Sequence, residues 1–302
     1  MFKTLYLSLG AALYLMACSQ DVTVESDAKS SQPSTQETTS EANVNELKPF
    51  AIPRTHVVPI RDTKSDRPYE LYIKLPRDYE KNQDQTYPVI FITDGKWQMD
   101  IMSGSAEHLM PDAILVGISW QTDFLHKWGE HVSRFRDFTF LKDEDAPVET
   151  GEAGNHLSFI RDDVFKFIEN NYRTDPTERT FFGYSTGGGF GAYILFEQPD
   201  TFKHYILGSP AFGPKHSNVL DALEGKLDLS QQNLDAHVYV SIGELEESEM
   251  KHTERFVSML ELKRQTGLSF DGLEVIEGAD HGTASPVAVI QSMIWLSQRT
   301  SK

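Results

Sequence analysis

Ser185 stands in Gly183-Tyr184-Ser185-Thr186-Gly187, a G-x-S-x-G run. A serine hydroxyl attacks a carbonyl carbon when a neighbouring base takes its proton, so the chemistry open to Ser185 is nucleophilic acyl chemistry, provided a histidine and an acid lie elsewhere in the chain. A run from Arg179 to Phe182 leads in as a strand, and a helical stretch from Phe190 to Gln198 leads out. In such a strand–turn–helix the turn lifts the serine Oγ above the sheet edge. Glycine suits positions 183 and 187 because a Cβ there would crowd neighbouring backbone or demand strained dihedrals. The helix that follows turns its first N–H groups towards the place where an oxyanion forms. With three fixed positions the motif also arises by chance in glycine-rich loops, so its partners decide its meaning.

Those partners sit late in the chain. Gly278-Ala279-Asp280-His281-Gly282 falls between the last expected strand and the last expected helix, which singles out His281 among the ten histidines. After an earlier strand comes Gly243-Glu244-Leu245-Glu246-Glu247, with Glu246 as the leading acid, Glu244 second and Glu247 third; a Ser–His dyad with three solvated carboxylates is the bland alternative. The order serine, acid, histidine is that of the α/β-hydrolases. Two N–H donors must face the oxyanion: the backbone of Thr186, directly after the serine, and that of Lys96, after Asp94-Gly95. Loss of one such donor typically costs about 10²–10³ in rate. A segment containing His126, Lys127, Trp128, His131, Arg134, Phe135 and Arg136 follows another strand and is placed to wall a pocket. Within it Trp128 offers a stacking face and Arg134 a donor fork for an anionic acyl part, while Arg136-Asp137 could equally be a structural ion pair. Trp97 and Tyr184, beside the oxyanion donor and the serine, complete the expected substrate contacts. His126 and His131 miss the i, i+4 spacing of a zinc-binding H-E-x-x-H, so no metal is expected.

The elements that must carry these residues read as alternating strands and helices. Thr55–Ile60 and Tyr69–Leu75 look like an antiparallel pair. Tyr87–Thr93 and Ala113–Ser119 are near-continuous apolar runs, as strands covered on both faces are. Further strands are expected at His204–Leu207, His237–Ile242 and Leu273–Ile276, and helices at Gln98–Met110, His156–Tyr172, Glu249–Thr266 (stopped by Gly267) and Pro286–Ser297. The expected fold is α/β, a mostly parallel sheet with helices on both faces, in one domain over residues 49–302.

Composition sets the context. A formal net charge of -17 argues against nucleic acid or an anionic membrane surface as the main partner. Cys18 is the one cysteine, which excludes intrachain disulfides and cysteine-based metal sites. It closes Leu15-Met16-Ala17-Cys18 after a short basic start and an apolar core of signal-peptide length. The run resembles the lipobox of bacterial lipoproteins, so residues 1–17 are expected to be a signal peptide, Cys18 the lipidated residue, and residues 18–48, rich in Ser, Thr, Glu and Gln, a disordered tether. The expected location is the cell envelope, facing the periplasm or the cell surface. Ser19 favours the outer membrane, and the lipid supplies the only membrane contact.

Tyr87-Pro-Val-Ile-Phe-Ile-Thr-Asp-Gly95, Arg134-Phe-Arg-Asp-Phe-Thr139, the serine motif, Pro199-Asp200-x-Phe202 before Gly208-Ser209-Pro210, and Asp280-His281-Gly282 occur together in this order. From about Thr55 to Leu296 the chain resembles the esterase family that includes esterase D and the enterochelin (siderophore) esterases. The resemblance implies an α/β-hydrolase fold without a large separate cap, hydrolysis of a small-molecule ester and no cofactor. Relatives often carry bulky aromatics after Ser-Pro, where this chain has Ala211-Phe212-Gly213-Pro214. The sharpest substrate expectation is a siderophore or other phenolic or anionic ester. Acyl transfer and feruloyl or acetyl carbohydrate esters are alternatives on the same fold, and an inactive binding lipoprotein is the alternative of another class.

Overall fold

In a computed structural model of the chain, residues 49–212, 216–226 and 235–300 are described. The signal peptide, Cys18 and the tether expected before residue 49 lie outside them, as do Gly213 and Pro214. Eight strands form one sheet in the order β1-β2-β4-β3-β5-β6-β7-β8. β1 (Thr55–Arg61) pairs antiparallel with β2 (Pro68–Lys74), and β2 antiparallel with β4 (Ile114–Ile118). From β4 onward, through β3 (Tyr87–Ile92), β5 (Thr174–Tyr184), β6 (His204–Gly208), β7 (His237–Gly243) and β8 (Ser269–Ile276), every pairing is parallel. This is the α/β-hydrolase fold.

The parallel strands are apolar on both faces because helices cover both. One core holds α1 (Gly95–Leu109) and α8 (His281–Thr300) against Ile90, Ile92, Leu115, Phe182 and Ile206. On the other face the core includes Phe91, Phe181 and Tyr205 of the sheet together with Phe190 and Phe256. Between β4 and β5 lie a short helix α2 (Ser133–Phe138) and one helical rod, α3 (Ala153–Phe159) and α4 (Phe165–Asn171), joined by a π turn at Ile160–Val164. The remaining helices are α5 (Thr186–Glu197), α6 (His216–Gly225) and α7 (Glu247–Lys263), the last ending through a 3₁₀ turn at Gly267, φ 101°.

Two helix starts differ from expectation by four residues or more. α5 begins at Thr186 rather than Phe190, taking in Gly187, Gly188 and Gly189 despite their poor helix propensity. Tertiary contact overrides propensity here: a Cβ at Gly189 would stand 2.3 Å from the Ala211 carbonyl oxygen, so the helix can approach the β6 loop only through glycine. α8 begins at His281 rather than Pro286, which sits inside the helix.

Candidate active site

The C-terminal ends of the parallel strands collect the chemistry, as in open α/β sheets generally. Ser185 follows β5 with φ 58° and ψ −123°, a conformation L side chains rarely adopt. Its backbone is tied on both sides: Ser185 N donates to Gly208 O at 2.9 Å, and its own carbonyl accepts from Gly189 N at 3.0 Å and Ala211 N at 2.9 Å. Gly183 and Gly187 serve close approach rather than positive φ, since a Cβ at Gly183 would fall 2.3 Å from Gly187 O and one at Gly187 2.5 Å from Thr93 Oγ1.

His281 opens α8, where Asp280 acts as the cap: its Oδ1 accepts from Thr283 N at 2.9 Å and Gly282 N at 3.1 Å. The loop of Glu246 is stitched to this one by Glu244 N to Ile276 O and Leu245 N to Ala279 O, both 3.0 Å. Glu246 is buried, and its Oε2 lies 2.5 Å from His281 Nδ1. Glu244 and Glu247 are exposed; Glu244 Oε2 accepts from Gly278 N at 2.8 Å. Because a carboxylate only accepts, His281 Nδ1 carries the proton and the neutral ring keeps Nε2 as its acceptor. The bond to Glu246 raises the His281 pKa above its ordinary value against the opposing effect of burial. Burial pushes Glu246 upward, but hydrogen bonds from His281, Ser209 and Gly243 outweigh it and hold the carboxyl below its ordinary value. Tyr184, expected to touch substrate, instead lies buried under the histidine loop, donating its hydroxyl to His281 O at 2.6 Å.

Lys96 and Thr186 occupy the first turns of α1 and α5, where backbone N–H groups have no intrahelical acceptor. Asp94, left-handed at φ 55°, sets the direction in which α1 starts. Its carboxylate takes Arg134 Nε at 2.8 Å, Arg134 Nη2 at 2.7 Å and Trp120 Nε1 at 2.7 Å. The fork expected to receive an anionic acyl group is thus occupied by Asp94. Arg136 is likewise a buried ion pair, with Nε 2.8 Å from Asp137 Oδ1. The two arginines of the expected cationic wall therefore serve the protein itself, and what remains of the wall is aromatic apart from Lys127, exposed with its Nζ 4.7 Å from the centre of the Trp128 ring. Trp128 and Phe135, partly exposed, line a cavity of about 400 Å³ that also reaches Phe138, Thr186, Gly189 and Ala211. Its single cation among the described lining residues, Lys142, is paired with Glu144 at 2.8 Å. Trp97 is half exposed and packs edge-on against Trp120, ring centroids 4.6 Å apart. His126 and His131 pack against tryptophans, Trp128 at 5.0 Å and Trp97 at 5.4 Å. Sequence reasoning misses Ser209 and Asp94 as partners: from sequence Asp94 is only the residue two before the Lys96 donor, and a serine after a strand carries no distinguishing signal.

A strained serine after β5, a histidine–carboxylate pair after β8 and β7, and two helix N-termini define a hydrolase of the α/β class. Comparison with known proteins agrees: residues 63–281 match the family model described as "Putative esterase". The chain belongs to that family and is a carboxylic ester hydrolase. It is 27% identical over 280 residues to the ferri-bacillibactin esterase BesA of Bacillus subtilis, covering 85% of this chain and 94% of that one. Among solved structures it is similar to the BES protein of Bacillus cereus (TM-score 0.71, 22% identity, 83% of this chain and 97% of that one). The siderophore hydrolase EstB of Aspergillus nidulans superposes with TM-score 0.68 at 20% identity, over 84% of this chain and 98% of that one.

Proposed function

We propose that the chain is a serine esterase that works through an acyl-enzyme, with Ser185 as nucleophile, His281 as general base and acid, and Glu246 as the group that orients and charges the histidine. The observation that carries the reading is the 2.5 Å contact between His281 Nδ1 and Glu246 Oε2 at the strand edge where Ser185 takes its strained turn. In the first half-reaction Ser185 Oγ bonds to the ester carbonyl carbon as His281 Nε2 takes its proton. The tetrahedral oxyanion, held by the Lys96 and Thr186 amides, collapses by breaking the bond to the alkoxy group, which leaves with the proton from His281. A water then attacks the acyl-enzyme, His281 takes its proton and returns it to Ser185 Oγ, and the acid is released.

The relatives named for siderophore esters support a siderophore or similar ester as substrate. The aromatic cavity beside Thr186 supports an acyl part with aromatic or apolar surface rather than one recognised by free arginines. The test is labelling by a serine-reactive fluorophosphonate, with turnover of a siderophore ester and of a short-chain nitrophenyl ester. Wild type should label at Ser185; Ser185→Ala should neither label nor turn over while keeping its fold. His281→Ala should be as severe, and the double variant little worse, because the residues act as a unit. Near-normal turnover by Ser185→Ala would defeat the reading.

We also propose a lipid anchor at Cys18 after removal of residues 1–17, which would put the esterase in the cell envelope facing the periplasm, on the strength of Leu15-Met16-Ala17-Cys18. Cys18→Ser should leave membrane fractions or accumulate as precursor; unchanged fractionation with normal maturation would refute the anchor.

A further inference from the structure

Arg134 lies in α2, on the excursion between β4 and β5, yet its side chain is buried where α1 and α5 begin. Nε and Nη2 grip the two oxygens of Asp94 at 2.8 and 2.7 Å, and Nη1 donates to Thr186 Oγ1 at 3.2 Å. Asp94 in turn carries the first turn of α1, its carbonyl accepting from Trp97 N at 2.8 Å and Gln98 N at 3.2 Å. The two helix starts meet without slack, since a Cβ on Gly187 would lie 3.3 Å from Asp94 Oδ2. Aromatic rings close over the guanidinium, with Trp97 at 5.5 Å and Phe138 at 5.6 Å. A buried ion pair adds little stability once desolvation is counted, but a planar fork fixed on a carboxylate makes a rigid spacer.

We propose that Arg134 is a positioning residue that locks the start of α1 to the start of α5, so that the Lys96 and Thr186 amides point at one carbonyl oxygen. The proposal rests on the reading of those two amides as the oxyanion donors. Arg134 touches no reacting atom in this role; it acts through Asp94 and Thr186. Donor geometry matters steeply, because a misplacement of about 1 Å near the reacting centre costs on the order of 10²-fold in rate. Lysine cannot replace the fork, since a single ammonium reaches one of the three oxygens well and the others poorly.

The experiment compares Arg134→Gln, Arg134→Lys, Thr186→Val and Thr186→Ser on nitrophenyl butyrate, which is neutral, and on an anionic nitrophenyl hemisuccinate. Active sites are counted with a fluorophosphonate and melting temperatures are measured alongside. Both Arg134 variants and Thr186→Val should lose roughly 10²-fold in kcat at little-changed KM on both esters. Thr186→Ser, which keeps the hydroxyl, should lose much less in kcat than Thr186→Val, and Arg134→Gln with Thr186→Val should be no worse than Arg134→Gln alone. A rise in KM confined to the anionic ester would make Arg134 a substrate anchor and overturn the proposal. So would a lowered melting temperature with normal kcat per titrated site, or an unaffected Thr186→Val. Should Arg134→Gln fail to fold, the Thr186 pair decides alone. Wild type that does not label at Ser185 would remove the reading beneath the proposal, a result separate from labelled wild type with fully active Arg134 variants.

Discussion

Ser209 Oγ donates to Glu246 Oε1 at 2.7 Å, so the carboxylate is held from the end of the neighbouring strand as well as by its own loop, where Gly243 N donates to the same oxygen at 2.8 Å. Oε2 is left for His281 at 2.5 Å. Ser209 reaches this position with φ 37°, a left-handed turn at the end of β6 that points its hydroxyl at β7. A buried acid satisfied on one oxygen by two donors stays ionised and aimed, and that is what an orienting carboxylate requires.

Glu246→Gln should therefore do more than lower the rate. The neutral amide no longer stabilises the imidazolium and no longer fixes the tautomer, so kcat should fall by about 10²–10⁴-fold. The pH profile carries the sign. His281 must be neutral to act as base, and its bond to Glu246 raises its pKa above 6.5, so the acid limb of kcat/KM in wild type should lie above that value. Removing the carboxylate should move the limb to lower pH. A limb that stays in place in Glu246→Gln would mean another group sets it.

Ser209→Ala separates holding the carboxylate from being the carboxylate. Glu246 keeps its bonds to Gly243 N and His281 but loses one donor, so kcat should drop about 10-fold, the lower end of what one hydrogen bond of about 1.5–3 kcal/mol to a charged group would give. Steady-state kinetics on a nitrophenyl ester checks this. A loss as large as that of Glu246→Gln would show that Ser209 does more than hold the acid.

The sequence made the site's order along the chain readable because each piece follows a strand and carries its own turn chemistry: Gly183 to Gly187, Gly243 to Glu246, Asp280 to Gly282. What it could not carry was pairing across the fold. Arg134 and Asp94 are 40 residues apart, and only the topology that lays α2 beside the β3 end brings them together. Arg134 therefore reads from sequence as a free cation. The same holds for Tyr184, whose hydroxyl finds the His281 carbonyl 97 residues away. Element types fared better than their ends. The apolar runs of β3 and β4 are long and unambiguous, while the start of α5 is hidden by glycines whose reason is tertiary.

Gly183→Ala tests that tertiary reason directly. Its added methyl would sit 2.3 Å from Gly187 O and 2.8 Å from Phe181 Cε1, both in the tightly packed elbow. Backbone rather than a flexible side chain is the obstacle, so the turn itself must shift. We expect a loss of about 1–3 kcal/mol from overpacking and a fall in kcat out of proportion to it, because the shift moves Ser185. Urea midpoints and titrated kcat measure the two effects. A variant with normal melting and normal kcat would show that the elbow has slack.

Acid stability turns on a different histidine. His204, at the start of β6, is 1% exposed, stacked on His237 at 5.1 Å and edge-on to Trp295 at 6.2 Å, with Nε2 3.2 Å from Glu178 Oε2. Burial pushes its pKa down to about 4, the pull of Glu178 offsetting part of the effect. In the unfolded chain the ring titrates near 6.5. Between those values the unfolded state binds a proton that the native state refuses, so stability should fall as pH drops from 6.5 towards 4. One such group can account for at most about 3 kcal/mol over that window. His156 and His237 are lowered by burial too and add in the same direction, so a single substitution removes part of the slope. His204→Phe keeps an aromatic of similar size in the stack and leaves Glu178 paired with Lys203 at 2.8 Å. Urea midpoints measured from pH 7 to pH 4.5 should fall less steeply in this variant than in wild type, whatever its stability at pH 7. Parallel curves would mean that His204 takes up its proton in the native state as readily as in the unfolded chain, and that its burial leaves room for the charge.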